Sequence, residues 1–143
     1  MKKKLALVLS FLLLFLTAFG CGAKRIAIED YRWVLRYAMH GEDGNLVVDA
    51  TGQEESVYPD AKRVDIILTA KDGSLTVADV TNGKTYEGTY AVESRTPEGT
   101  NYRVVIDGKT GYAAVAMTTY GDGTQEPTLP ISLDGYSLSF YAQ

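Results

Sequence analysis

From Asn45 onward five Asx-Gly dipeptides punctuate this chain: Asp72-Gly73, Asn82-Gly83, Asp107-Gly108, Asp122-Gly123 and Asp134-Gly135. Two-residue hairpin turns of type I′ need positive φ at both central positions, which Asn, Asp and Gly tolerate best. Recurring at this density, they commit the second half of the chain to short antiparallel strands.

The runs between the turns alternate with period two. Val64, Ile66, Leu68 and Ala70 alternate with Asp65 and Thr69, and Leu75 and Val77 flank Thr76. Tyr86, Gly88, Tyr90 and Val92 form one face of the next run, and Tyr102, Val104 and Ile106 one face of the run after it. Tyr112, Ala114, Ala116 and Thr118 oppose Ala113, Val115 and Met117. Leu129, Ile131 and Leu133 precede a last run in which Tyr136, Leu138 and Phe140 alternate with serines. Such alternation buries one face of an antiparallel sheet and wets the other. Residues 31–40 fit two patterns. Tyr31, Val34, Leu35 and Ala38 match a helical face, whereas Tyr31, Trp33, Leu35, Tyr37 and Met39 alternate as a strand, which the all-β context favours. Residues 50–63, with Pro59, read as a polar loop.

About eight or nine strands joined mostly by tight turns leave two unpaired edges unless the sheet closes. An up-and-down barrel is the simplest closure for consecutive hairpins, with a sandwich as the alternative. Pro130 predicts that the penultimate strand is interrupted or lies partly at an edge, since proline cannot donate to the ladder. Gly88, in mid-strand, reads as a barrel bend or as a merely tolerated glycine. Trp33 on a first strand, the Gly88-Thr89-Tyr90 strand and the hairpin meander together resemble the lipocalin-like small barrels of bacterial lipoproteins. The resemblance is one of pattern: Tyr31 stands where lipocalins place a glycine, so it implies a barrel and no particular ligand.

The N-terminus has a different character. Lys2, Lys3 and Lys4 precede an apolar run from Leu5 to Phe19, broken only by Ser10 and Thr17. A basic segment ahead of a short apolar stretch reads as a secretory signal peptide, here residues 1–20. The run falls short of the roughly 20 residues that span a bilayer. Ala18-Phe19-Gly20-Cys21 resembles the lipobox of bacterial lipoprotein precursors. That resemblance implies that Cys21 receives a diacylglyceryl group and becomes the mature N-terminus. Two acyl chains anchor a protein stably, where one binds only marginally. The expected organisation is a leader (1–20), a lipidated N-terminus and short tether (21–28) and a β-barrel domain (29–143). The protein is expected to sit outside the cytoplasm, held to a bacterial membrane by its lipid.

Composition removes several functions. Fourteen Lys+Arg against 18 Asp+Glu give a net charge of -4. Removing residues 1–20 takes three lysines away, leaving 11 against 18, a net -7. Such a chain lacks the clustered cations that nucleic acid requires. One Cys and one His cannot build a Cys/His zinc site. Neither a Gly-x-Ser-x-Gly elbow nor a phosphate-cradling loop occurs, and His40 beside Gly41 reads as a solvated turn residue. Glu42-Asp43, Glu54-Glu55 and Asp122 with Glu126 lack calcium-loop spacing and read as solvated loop charge. We therefore expect no catalytic residues, metal or cofactor.

Tyrosine is the remaining lead. All ten tyrosines follow Cys21, with one Trp and a single Phe, Phe140. Tyrosine suits pockets and interfaces through its apolar body and polar tip, and it also suits strands generally. The alternation predicts that Trp33, Tyr86, Tyr90, Tyr102, Tyr136 and Phe140 share the barrel interior and are the candidates to line a ligand site. The leading expectation is a non-catalytic module binding a small amphipathic ligand in the barrel mouth. The alternative is a protein-interaction or inhibitor lipoprotein with a filled barrel, meeting an envelope partner through loops 41–63 and 119–128. An envelope hydrolase is the weakest reading, for want of a nucleophile–base pair.

Overall fold

The computed structural model describes residues 25–143; the expected leader and Cys21 lie outside the described residues. A short 3-10 turn, η1 (Ile28–Asp30), precedes nine strands. These are β1 (Trp33–His40), β2 (Asn45–Asp49), β3 (Ile66–Lys71), β4 (Ser74–Asp79) and β5 (Lys84–Arg95). β6 (Gly99–Ile106), β7 (Lys109–Thr119), β8 (Gln125–Leu133) and β9 (Tyr136–Ala142) follow. All pairings between strands are antiparallel, and β9 returns to pair with β1. Eight strands thus close as an up-and-down barrel, with β2 as an extra strand; the sandwich does not occur.

β1 holds the barrel together. One of its edges pairs with β9 from Trp33 to His40. Its other edge is shared, with Trp33 and Val34 on β3 and Tyr37 to His40 on β2. Between them Ala50 donates its N–H to the Arg36 carbonyl at 2.8 Å, so the change of partner leaves that oxygen satisfied. The sequence favoured a strand here, and a strand forms, but its alternation breaks. Against β9, Leu35 faces Phe140 and Tyr37 faces Ser139, leaving Arg36 as a bulge. A bulge reverses the side-chain faces beyond it. Ala38 rather than Tyr37 is therefore buried, and Tyr37 reaches toward Gln53 instead.

The other strands keep the faces their sequences predict. Leu68, Leu75, Val104, Val115, Leu129 and Ile131 are fully or almost fully buried. Three Asp-Gly pairs form the tight turns, with positive φ at both residues of Asp72-Gly73, Asp107-Gly108 and Asp134-Gly135. Asn82-Gly83 and Asp122-Gly123 sit in longer loops, where only the glycine has positive φ. A Cβ on Gly88 would lie 2.1 Å from the Val105 carbonyl oxygen, so β5 and β6 approach more closely than any side chain permits. Gly88 is therefore not a merely tolerated glycine: the close approach of the two strands requires it. β8 runs unbroken between β7 and β9, so Pro130 neither interrupts the strand nor sits at an edge. It falls where the β7–β8 ladder lacks pairs between Ala113↔Ile131 and Ala116↔Thr128 in an unchanged register, which accommodates its missing N–H.

Strand directions define two ends. The turns after β3, β5 and β7 lie at the end where β1 begins; those after β1, β4, β6 and β8 lie at the other. η1 crosses the first end. Ile28, expected at the end of a tether, is wholly buried and belongs to the core. Its carbonyl accepts the Trp33 indole N–H at 2.7 Å, and its N–H donates to the Tyr102 hydroxyl at 3.2 Å. The two largest polar-tipped side chains of the interior thus find partners on the backbone of the residue that seals it. Residues 22–143 include every one of these elements.

Candidate functional site

The six aromatic residues singled out in the sequence divide between the two ends. Trp33, Tyr102 and Phe140 are buried in the core that η1 closes. Tyr90 packs edge-on against Tyr102, ring centroids 5.8 Å apart, and its hydroxyl donates to Glu29. These four fill the sealed half of the barrel. Tyr86 and Tyr136 lie at the opposite end, where they help to line an open recess of about 350 Å3.

That recess is built by β5, β6, β7, β8 and β9. Ile106, Leu133 and Leu138 supply its apolar lining, and Asp107, Lys109 and Asp134 its polar rim. The geometry follows from the turns. Asp107-Gly108 and Asp134-Gly135 end their strands abruptly, so the last inward residues, Ile106 and Leu133, stand directly below a charged lip. Tyr136 is 41% exposed, and the His40 ring lies against it at 4.3 Å. His40, read from sequence as a turn residue, ends β1 at this mouth.

Lys109 donates to Asp134 across the rim. That hydrogen bond, then the carboxylate's charge, raises the pKa of the Lys109 ammonium above its ordinary value. An amine held protonated is a charge and a donor, not a nucleophile. Among the described residues, no group of three His, Cys, Asp or Glu side chains gathers to hold a metal ion. What the mouth offers is an apolar floor, two phenol rings and a charged edge. An apolar floor beneath a polar rim is complementary in shape and polarity to an amphipathic molecule.

Two further concavities lie among the described residues. Arg25 and Ile26 border a groove of about 260 Å3 with Pro97, Glu98 and Met117 at the sealed end. A polar hollow of about 220 Å3 lies in the loop after β2, between Asp49, Tyr58 and Arg63. Asp49, missed by the sequence reading, is 2% exposed and organises that loop. Its carboxylate accepts hydrogen bonds from the backbone N–H groups of Thr51, Gly52 and Glu54 and from the Thr51 hydroxyl. Burial pushes its pKa up, but those bonds outweigh burial and hold it below the ordinary carboxylate value.

A fourth cluster lies on the outer wall. Arg36, at the bulge, stacks 4.0 Å above the Tyr141 ring and pairs with Glu126, which also accepts the Tyr120 hydroxyl at 3.0 Å. Burial, followed by the bond to Glu126, pushes the Tyr120 phenol up to about 12. This group ties β1, β8 and β9 to the loop after β7.

Set against protein-family models, curated proteins and solved structures, the chain matches none of them.

Proposed function

We propose that the protein is a membrane-anchored, extracytoplasmic lipoprotein of lipocalin-like build, and that it binds a small amphipathic ligand without catalysing a reaction. The observation that carries this reading is the recess between Tyr86 and Tyr136, open at one end of a barrel sealed at the other. Its volume lies at the small end of the range typical of small-molecule sites. The charged edge suits a ligand with one polar end.

The anchor supports a definite orientation. Arg25 and Ile26 run beside the turns at the sealed end, so a lipid on Cys21 would hold that end against the bilayer. The mouth then points away from the membrane, and its ligand comes from the solvent side.

A thermal-shift series on residues 22–143, with short-chain neutral, anionic and cationic amphiphiles, tests the binding reading. A ligand that binds only the folded state raises the melting temperature. At least one class should do so, and Leu138→Trp, which fills the recess, should abolish the shift. No shift with any class, or an unchanged shift in Leu138→Trp, would refute the reading.

The second reading, a protein-interaction lipoprotein, draws on Val57 and Tyr58, which stand 63% and 41% exposed in the loop after β2. Exposed apolar side chains paired in this way suit a partner's surface.

A further inference from the structure

The mouth carries an imbalance of charge that the recess itself does not explain. Every turn at that end bears a carboxylate or ends a strand with one. Glu42 and Asp43 lie after β1, Asp79 ends β4, and Asp107 and Asp134 begin the turns after β6 and β8. Asp65 adds another just before β3. Lys84 and Lys109 stand at this rim at the starts of β5 and β7, and Lys62 and Arg63 precede Asp65, Arg63 in an ion pair with Glu55. The sealed end carries acids as well, Glu29, Asp30, Asp72, Glu98 and Asp122, with Arg25, Arg32, Lys71 and Arg95 interspersed among them.

Within the recess the balance is sharper. Lys109 and Asp134 neutralise one another. Asp107 also borders the recess, and it takes part in none of the ion pairs among the described residues. The walls hold two phenol rings, and the π-face of an aromatic ring attracts cations. An apolar floor, aromatic walls and a surplus carboxylate suit a molecule with an apolar body and a permanent or protonated ammonium group. A low-dielectric cleft edged by one sign of charge also concentrates ligands of the opposite sign.

Resting on the proposed binding function, we propose that the ligand is a cationic amphiphile, its apolar part on Ile106, Leu133 and Leu138 and its ammonium between the tyrosine rings and Asp107. Anionic amphiphiles of the same size meet a rim that repels them. This specificity is electrostatic, so it weakens as salt rises.

Benzyltrimethylammonium and hexyltrimethylammonium serve as cationic probes, hexyl sulfate as the anionic one and hexanol as the neutral one. Each is titrated into residues 22–143 and followed by NMR. Both cationic probes should bind at least about 5-fold more tightly than hexyl sulfate, with the preference shrinking at high salt. Asp107→Asn and Tyr136→Ala should each weaken cationic binding about 3- to 10-fold. Lys109→Met, which frees Asp134, should strengthen it. These side chains lie at the rim, and an unchanged melting temperature shows that each variant is folded. Equal or tighter binding of hexyl sulfate overturns the charge preference while leaving the binding module intact. Insensitivity to both Asp107→Asn and Lys109→Met does the same. If none of the four probes binds, both the preference and the binding reading fall.

Discussion

The two ends of the barrel should respond differently to the same chemical deletion. Ile28 is wholly buried where η1 seals the core, whereas Leu138 borders the open recess. Truncating either to alanine removes three carbons. At Ile28 all three leave a packed environment, a transfer loss of about 2.4 kcal/mol at ~0.8 kcal/mol per methylene. The void left behind adds about 1 kcal/mol, from ~24 cal/mol per Å3 over some 40–50 Å3. Ile28→Ala should therefore cost about 3–4 kcal/mol. Leu138 already faces open space on one side, so about half the transfer loss applies and little new void forms, giving roughly 1–1.5 kcal/mol. Urea unfolding of residues 22–143, analysed by linear extrapolation, reads both values. Ile28→Val, expected to cost about 1 kcal/mol, serves if the alanine variant does not fold. Equal losses at the two sites would mean that the mouth is packed as tightly as the base. A loss below about 1 kcal/mol for Ile28→Ala would mean that η1 is no seal.

Other perturbations test other parts of the structure. Gly88→Ala places a methyl 2.1 Å from a carbonyl oxygen and should cost about 2–3 kcal/mol, whereas Gly121→Ala, with open space around it, should stay within ~0.5 kcal/mol; thermal melts compare them. Tyr120 should be among the last tyrosines to ionise in an absorbance titration, and Tyr120→Phe should remove that late phase. Its raised pKa adds stability that is whole below the unfolded value near 10 and lost as the pH climbs toward 12. Asp49 has the opposite sign: its lowered pKa adds stability that is present above the unfolded value near 4 and lost as the pH falls through the folded one. Asp49→Asn should flatten that acid limb, read as melting temperature against pH.

The fold was largely legible because period two is an unambiguous signal once turns mark the strand ends. Leu68, Leu75, Val104 and Phe140 lie on the inward faces that alternation gives them. Alternation failed at Arg36, where a bulge reverses the faces without any residue type to announce it. The sharing of one β1 edge by β2 and β3 is equally silent in sequence, since it depends on where a long loop returns. The candidate site was half legible. The pattern shows which aromatic rings point inward but not how deep each lies, so Trp33 and Tyr136 look alike until η1 is seen to cross one end. Ile28 looked like tether because its burial comes from the chain folding back under the barrel.

Chemical-shift mapping of a bound amphiphile on residues 22–143 tests the central claim most directly. The account predicts that the largest changes cluster at Tyr86, Ile106, Tyr136 and Leu138, with Trp33 and Tyr102 little affected. Changes centred instead on Val57 and Tyr58, or on Ile26 and Met117, would contradict it.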